Sequence, residues 1–494
     1  MDTGKLGTRR TDLINRQEIM DFSREFGLTA NVIEKDYVLG WMLTGISSHS
    51  ELGSSWIFKG GTCLKKCYFE TYRFSEDLDF TVIKPDHLNK SFLINTFREI
   101  AAWVYETSGI EMPHELIRFE VYTNPRGKIS VQGRIGYRGP LRPGGDLPRI
   151  KLDLTDDEVL VLDPAGQEVH HPYSDRPEDG IHVQCYCFEE VFAEKIRALT
   201  ERLRPRDLYD VVHLYRRDNT RHDRSLILST LENKCTFKGI SLPTMDSLES
   251  KPERTELETE WENMLGHQVT VLPPFKQFWQ ELPELFEWLY HAIEKAVPPA
   301  IPYMGQVVDA TWHPPAMAEA WHTATPLELI RFAAANRLCV NLNYIDTNGN
   351  TKRPIIEPYS MRLTRDGNLL LYAVKHDTTE ARSYRVDRIQ GAEVTKIPFT
   401  PRYAVELTAL GPVYAPKTKV RTSKTGITRL QSTKSTISRS RSRTPGYDPK
   451  YVFKCTVCGK QFIHKSYDSS LNQHNNKQGY PCPGRTGVYI TTKY

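Results

Sequence analysis

Apolar positions recur at helical spacing over residues 13–26 and again over 29–46, and Gly27 supplies a stop between the two runs. Trp56-Ile57-Phe58 and residues 78–82 are short apolar runs of strand type, with a helix predicted over 62–72 between them. A third amphipathic helix is predicted over 91–108. Two alternating strands are predicted over 117–137, with Ile129, Val131 and Ile135 marking the second, and Ile150-Lys151-Leu152-Asp153-Leu154-Thr155 reads as one more. Residues 188–202 and 206–215 read as helices, and 223–298 is largely helical. Helices and strands together make the fold class α+β.

Pro298, Pro299, Pro302, Pro314 and Pro315 break this pattern, so a first domain over 10–297 is expected to end in a linker, 298–324. Residues 325–407 form a smaller unit, one helix over 326–336 followed by β-rich alternation with turns at Gly349, Gly367 and Asp377. Residues 408–449 are rich in Ser, Thr, Lys and Arg. They hold too few large apolar side chains to offset the entropy of ordering the chain, and disorder is expected there. A compact module follows over 450–490.

The length, 494 residues, exceeds that of one ordinary domain. No apolar run reaches the ~18–20 residues that span a bilayer, and Met1-Asp2-Thr3-Gly4 opens no apolar signal core. A cytoplasmic protein without membrane association is the expectation. The net charge of +4 conceals segregation: from residue 409 onward 16 Lys/Arg face 2 Asp/Glu, so +14 there leaves −10 on the rest. The tail, not the body, is the part attracted to an anionic polymer.

Candidate chemistry concentrates in Lys59-Gly60-Gly61-Thr62 and Ser75-Glu76-Asp77-Leu78-Asp79-Phe80. On a strand Asp77 and Asp79 point the same way. Neighbouring carboxylates repel unless a cation sits between them, and a hard divalent ion that also holds a substrate phosphate, Mg²⁺, meets that demand. The glycines and Thr62 let backbone N–H groups approach phosphates. Asp153 faces away from Leu152 and Leu154 on its own strand and is a candidate third metal ligand. Residues 190–210 add Glu194, Lys195, Arg206, Asp207 and Asp210, with Lys195 placed mid-helix where a cation could reach a triphosphate. Each has a plainer reading: Lys195 on a solvated helix face, Asp207 as a helix N-cap, Asp210 as structural, and Glu34 and Lys35 as an exposed pair or a salt link that positions the site.

Together with Ile33-Glu34-Lys35-Asp36-Tyr37, Glu189-Glu190-Val191-Phe192-Ala193-Glu194-Lys195-Ile196 and Arg206-Asp207-Leu208-Tyr209-Asp210, these motifs make region 30–215 resemble the abortive-infection nucleotidyltransferase toxins of the AbiEii/AbiGii type. Those belong to the DNA polymerase β-like nucleotidyltransferase superfamily. The resemblance implies a polymerase β-like domain with a helical C-terminal half. It also implies Mg²⁺-dependent transfer of a nucleoside monophosphate from an NTP to RNA, the 3′ end of tRNA in particular. The toxin half of a toxin–antitoxin or phage-defence system, with a cognate antitoxin, follows from the same resemblance. On that pattern Asp77 and Asp79 hold metal, Lys195 contacts phosphate, Asp207 is the essential late carboxylate, and Lys59, Gly60, Gly61, Thr62 and Ser75 line the nucleotide.

Residues 325–407 resemble a WYL domain, a β-rich sensing fold, through Val340-Asn341-Leu342-Asn343-Tyr344, Arg353-Pro354-Ile355-Ile356-Glu357-Pro358-Tyr359 and Arg382-Ser383-Tyr384-Arg385-Val386-Asp387-Arg388-Ile389. The namesake tripeptide stands as Leu369-Leu370-Leu371. Tyr344, Arg353, Arg385 and Arg388 are candidates for a nucleotide signal, DNA or RNA, or else are solvated charges on a structural barrel. Cys455-Thr456-Val457-Cys458 resembles a zinc-finger knuckle. His474 and Cys482 complete a C-x2-C-x15-H-x7-C set for structural Zn²⁺, with His464 competing for the third place. The basic stretch and finger favour nucleic-acid contact. A nucleic-acid-binding regulator that retains an inactive transferase fold is the competing reading.

Overall fold

A computed structural model describes residues 14–69, 72–142, 144–217, 223–293, 298–302, 308, 327–407, 450–455, 457–464, 471–475, 481–484 and 486–493. It divides into two units, 1–420 and 421–494. The expected disordered stretch, 408–449, lies outside the described residues.

The larger unit opens with α1 (Arg16–Phe26), capped by the Asn15 side chain on the Glu18 N–H and closed by Gly27 at φ 65°. The second helix, α2 (Ala30–Ser48), is buried nearly all round, as a central helix must be when its residues are apolar on every face. Next come α3 (Gly60–Cys63), α4 (Lys90–Ser108), α5 (Phe188–Arg202), α6 (Pro205–Arg216), α7 (Arg224–Lys238), α8 (Met245–Glu249), α9 (Arg254–Leu265), α10 (Phe275–Trp279) and α11 (Leu282–His291). Helices α2, α3 and α4 pack against a seven-stranded mixed sheet of β1 (Trp56–Lys59), β2 (Asp77–Val82), β3 (Ile117–Thr123), β4 (Ile129–Gly136), β5 (Arg149–Thr155), β6 (Ala165–Glu168) and β7 (His182–Cys185), in the order β3-β4-β5-β2-β1-β7-β6, while α5, α6, α7, α9, α10 and α11 pack on one another. Along β5 the burial alternates: Ile150, Leu152 and Leu154 enter the core, while Lys151 and Asp153 lie half-buried on the other face.

Three departures from the expected elements have physical reasons. The helix after Gly60-Gly61-Thr62 does not run to residue 72. It loosens into a π turn, Leu64–Tyr68, and the chain then leaves to let Phe74 N–H bond the Gln268 carbonyl at 2.8 Å. The strands β6 and β7 are four residues each, too short to show a period in sequence. Ile301, inside the stretch read as linker, is buried with Tyr359 and Phe399, so that part belongs to the following module.

That module carries α12 (Leu327–Asn336) against a sheet of β8 (Leu338–Ile345), β9 (Thr351–Lys352), β10 (Ile355–Leu363), β11 (Leu369–Lys375), β12 (Ala381–Arg385) and β13 (Ile389–Pro398), in the order β12-β11-β10-β8-β13 with β9 beside β8. Its helix end meets α6. The Asn336 side-chain oxygen accepts from the Tyr209 hydroxyl at 2.9 Å, and Arg216 donates to the Ala335 carbonyl at 3.0 Å. The smaller unit pairs β14 (Lys450–Cys455) between β15 (Gln461–His464) and β18 (Gly487–Lys493), and sets β16 (His474–Asn475) against β17 (Pro481–Cys482).

Candidate active site

Register builds the site. Lys59 on β1 pairs with Asp79 on β2, Asp79 with Asp153 on β5, and Asp153 with Gln132 on β4, so one row of four side chains crosses four strands on one face. Two residues earlier along β2, Asp77 pairs with Lys151, which pairs with Arg134, forming a second row on the same face. Lys151 Nζ lies 2.8 Å from Asp153 and 3.8 Å from Asp77. Gln132 donates to Asp153 at 3.3 Å. Lys59 Nζ lies 3.5 Å from Glu158, which also meets Lys238 at 3.4 Å, so Lys59 does not belong to the row alone.

Three carboxylates therefore share little cation. Asp79 is pushed up to about 6, first by burial and then by Asp153 and Asp77, against the pull of Lys59 and Lys195. Above it sits the glycine turn. Gly60 has φ +82°, and a Cβ there would meet Asp79 Oδ2 at 2.1 Å, so this position takes only glycine. A Cβ on Gly61 would meet Arg73 Nη2 at 2.6 Å and Ser75 Oγ at 3.0 Å, which places Ser75 at the turn. The Thr62 hydroxyl donates to the Asp77 carbonyl and ties the turn to β2.

A second acidic group lies on α6, with different neighbours. Asp210 takes a two-pronged bond from Arg73 at 2.7 and 2.8 Å, the Tyr72 hydroxyl, and Lys195 Nζ at 2.7 Å. Asp207 takes a two-pronged bond from Arg202 at 2.7 and 2.9 Å and lies 3.5 Å from Lys195. Burial works against both charges, yet Arg73 and Lys195 hold Asp210 below the usual carboxylate range, and Lys195 and Arg202 do the same for Asp207. Lys195 is buried between these acids and is not on an open helix face. Its field still reaches Asp79.

Residues 41–291 match the family described as the nucleotidyl transferase AbiEii toxin of type IV toxin–antitoxin systems, just over half of the chain. The chain belongs to that family. It is a nucleotidyltransferase, and residues 326–394 match the WYL domain. Among solved structures, the nucleotidyltransferase toxin MenT4 from Mycobacterium tuberculosis is similar at 17% identity over 57% of this chain and 91% of that one, with TM-score 0.38. JHP933 from Helicobacter pylori is similar at 14% identity over 54% and 94%, with TM-score 0.36. A comparison with curated proteins gives no match. Among the described residues no helix is long and apolar enough to cross a membrane.

In this transferase the sheet thus gathers Lys59, Gly60, Gly61, Thr62, Ser75, Asp77, Asp79 and Asp153, while Lys195 and Asp207 stand behind them in the α5–α6 ion pairs. Lys151 and Gln132 also touch the acidic row and were not singled out from sequence. Lys151 was legible as the residue two before Asp153 on the same strand face; Gln132 needed the β4–β5 register. Arg206, named with Lys195 and Asp207 from sequence, keeps a buried Nε without a hydrogen-bond partner among the described residues. Burial and Arg73 depress its guanidinium, while Asp77, Asp210 and Glu76 attract it. Glu34 and Lys35 are no exposed pair: Glu34 is buried and accepts from the Leu141 N–H at 2.6 Å, and Lys35 bonds Glu76 at 2.7 Å beside the site.

In the WYL module, Tyr344 pairs with Lys352 and Ile389, the sequence neighbours of Arg353 and Arg388, so the candidate residues collect at one end of the sheet. Arg385 bonds Asp387 through two nitrogens at 3.0 and 2.7 Å, and its N–H donates to the Tyr344 hydroxyl at 3.4 Å. In the small unit Cys455, Cys458, His474 and Cys482 bring one ligand atom each within 4.8 Å of one another. His474 Nδ1 faces the Asn472 carbonyl at 2.9 Å, leaving Nε2 aimed at Cys458 Sγ at 3.4 Å. Val457 and Gly484 donate N–H bonds to Cys455 and Cys482 sulfur, both at 3.4 Å. His464 instead packs against the Phe453 ring and is not in this group.

Proposed function

We propose that this nucleotidyltransferase moves a nucleoside monophosphate from an NTP to the 3′ end of a transfer RNA. It would use Mg²⁺ and act in the cytoplasm as the toxin of a toxin–antitoxin or phage-defence pair, held in check by a cognate antitoxin. The observation that carries this reading is the under-neutralised face of Asp77, Asp79 and Asp153 beneath the Gly60–Gly61 turn. All-oxygen donors at half-buried positions suit a hard ion. Asp77, Asp79 and Asp153 would hold Mg²⁺, which supplies charge neutralisation at the triphosphate when bound. The Gly60–Gly61 turn and Ser75 seat phosphates; Lys59 and Lys195 add positive field from either side. Asp207 fixes Lys195 in place rather than joining the metal. One of the Asp77, Asp79 and Asp153 carboxylates would also take the proton of an attacking hydroxyl.

Cys455, Cys458, His474 and Cys482 fit Zn²⁺ as a closed structural site, and a metal stabilises a unit whose buried cluster, among the described residues, is Phe453, Cys455, Leu471 and Cys482. That unit and the basic stretch before it would hold RNA through its backbone charge. The WYL module, through Tyr344, Arg353, Arg385 and Arg388, would take a nucleic acid or nucleotide signal. Its contact with α6, the helix of Asp207 and Asp210, gives such a signal a physical route to Lys195.

Incubation of the full chain with each labelled NTP, Mg²⁺ and total RNA tests the proposal. Label is expected on RNA with wild type and absent with Asp79→Ala. A folded wild type that labels no RNA overturns it, and label found on protein removes the RNA acceptor. A regulator with an inactive transferase fold would instead bind nucleic acid equally well after Asp77→Ala and without Mg²⁺.

A further inference from the structure

Three cysteines outside the finger converge behind the glycine turn. Cys63 ends α3, Cys67 follows one turn later in the π turn, and Cys185 ends β7, which pairs with Phe58 of β1. Their sulfur atoms all lie within 4.8 Å of one another, and none forms a disulfide. Cys63 and Cys185 are fully buried, and Cys67 is half-buried. Three small apolar side chains filling a core is the ordinary alternative for buried thiols. Here Cys63 and Cys67, four residues apart on one helical run, share a face, and the end of β7 brings the Cys185 sulfur onto that same face.

The spacing suits a thiophilic ion. A Zn–S bond of about 2.3 Å in tetrahedral geometry places sulfurs about 3.8 Å apart, within reach of small rotamer changes here. No carboxylate or imidazole joins the group, so a hard ion such as Mg²⁺ is not accommodated. The Tyr68 hydroxyl lies 3.8 Å from Cys185 sulfur but donates to the Tyr186 carbonyl at 2.6 Å. Charge favours a divalent ion over a monovalent one, because three thiolates with one divalent ion leave a single negative charge in a buried place. Lys66, next to Cys67, is already bonded to Asp36 at 2.7 Å.

We propose that Cys63, Cys67 and Cys185 form a second, all-sulfur site for a soft divalent ion of the Zn²⁺ class, distinct from the finger. The ion displaces the three thiol protons to solvent and leaves a fourth position for water on the Cys67 side. Occupancy ties the segment that carries Gly60-Gly61-Thr62 to β7 and stiffens the turn over Asp79. This site stands or falls independently of the acceptor in the transfer reaction.

The test uses Cd²⁺ with the full chain carrying Cys455→Ser and Cys458→Ser, which silences the finger. One equivalent of Cd²⁺ is expected to give a thiolate-to-metal absorption band and a raised Tm, and adding Cys67→Ala is expected to abolish both. No band in the finger-silenced chain, or a band unchanged by Cys67→Ala, overturns the site. Should the finger-silenced chain fold poorly, bound Cd²⁺ counted in the native chain serves instead. Two ions falling to one on Cys67→Ala supports the site, and a count that Cys67→Ala does not change refutes it.

Discussion

The acidic face of the sheet and the acidic face of α6 use the same residue type for opposite ends. On α6, two carboxylates take two-pronged bonds from Arg73 and Arg202, share the Lys195 ammonium, and are held below their ordinary range. On the sheet, Lys151 meets Asp153 closely and Asp77 at 3.8 Å, Lys59 is drawn to Glu158 as well, and Asp79 is pushed up. A buried acid already neutralised by its own fold has no need of an added ion, whereas an acid left short of cation is poised to receive one. The nearby lysine and arginines explain why Asp207 and Asp210, although close in sequence to Lys195, are not counted with Asp77, Asp79 and Asp153.

The contrast can be broken most sharply by exchanging charge for an isostere on each side. Asp79→Asn is expected to lower NMP transfer on the order of 10³-fold while leaving the metal-free Tm unchanged or higher, because like-charge crowding is relieved. Asp210→Asn is expected to cost about 3–5 kcal/mol of stability in denaturant unfolding, since it strands Arg73 and Lys195 in the interior. A stable Asp210→Asn and an unfolded Asp79→Asn would reverse the assignment. Gly60→Ala comes next. Its Cβ would collide with Asp79 Oδ2 at 2.1 Å and sit at φ +82°, so a loss of about 1–3 kcal/mol together with loss of transfer is expected. Smaller still is the effect of pH. Without metal, Asp79 favours the fold when protonated; that contribution is full below about 3.8 and disappears as pH rises through about 6. Added Mg²⁺ prefers the ionised acid, so its stabilising effect on Tm is expected to be small at about pH 5 and full at about pH 7.5. Equal Mg²⁺ effects at both would show that Asp79 is not a ligand.

Much of this was readable in the chain. The i, i+2 acids of β2 had to share a face, and Asp153 had to point away from Leu152 and Leu154, because strands alternate. Helices α1, α4 and α5 carried their period and α1, at Gly27, its stop. What could not be read was register. Nothing in sequence says that Lys59, Asp79, Asp153 and Gln132 stand in one line, since that depends on how four strands from distant segments slide against one another. Burial was equally hidden: Lys195 and Glu34 are residue types that face water by default, and only the arrival of Asp210 and the Leu141 N–H makes their burial tolerable. The Cys63–Cys67–Cys185 cluster escaped notice because β7 is too short to mark itself as a strand.

The central claim is that the sheet acids, not the α6 acids, hold the divalent ion. Binding of Mn²⁺ as a paramagnetic stand-in for Mg²⁺, followed by electron paramagnetic resonance on the full chain, tests it directly. The account predicts that Asp77→Asn with Asp79→Asn abolishes the bound Mn²⁺ signal and that folded Asp207→Asn retains it. Retention in the first variant with loss in the second would contradict it.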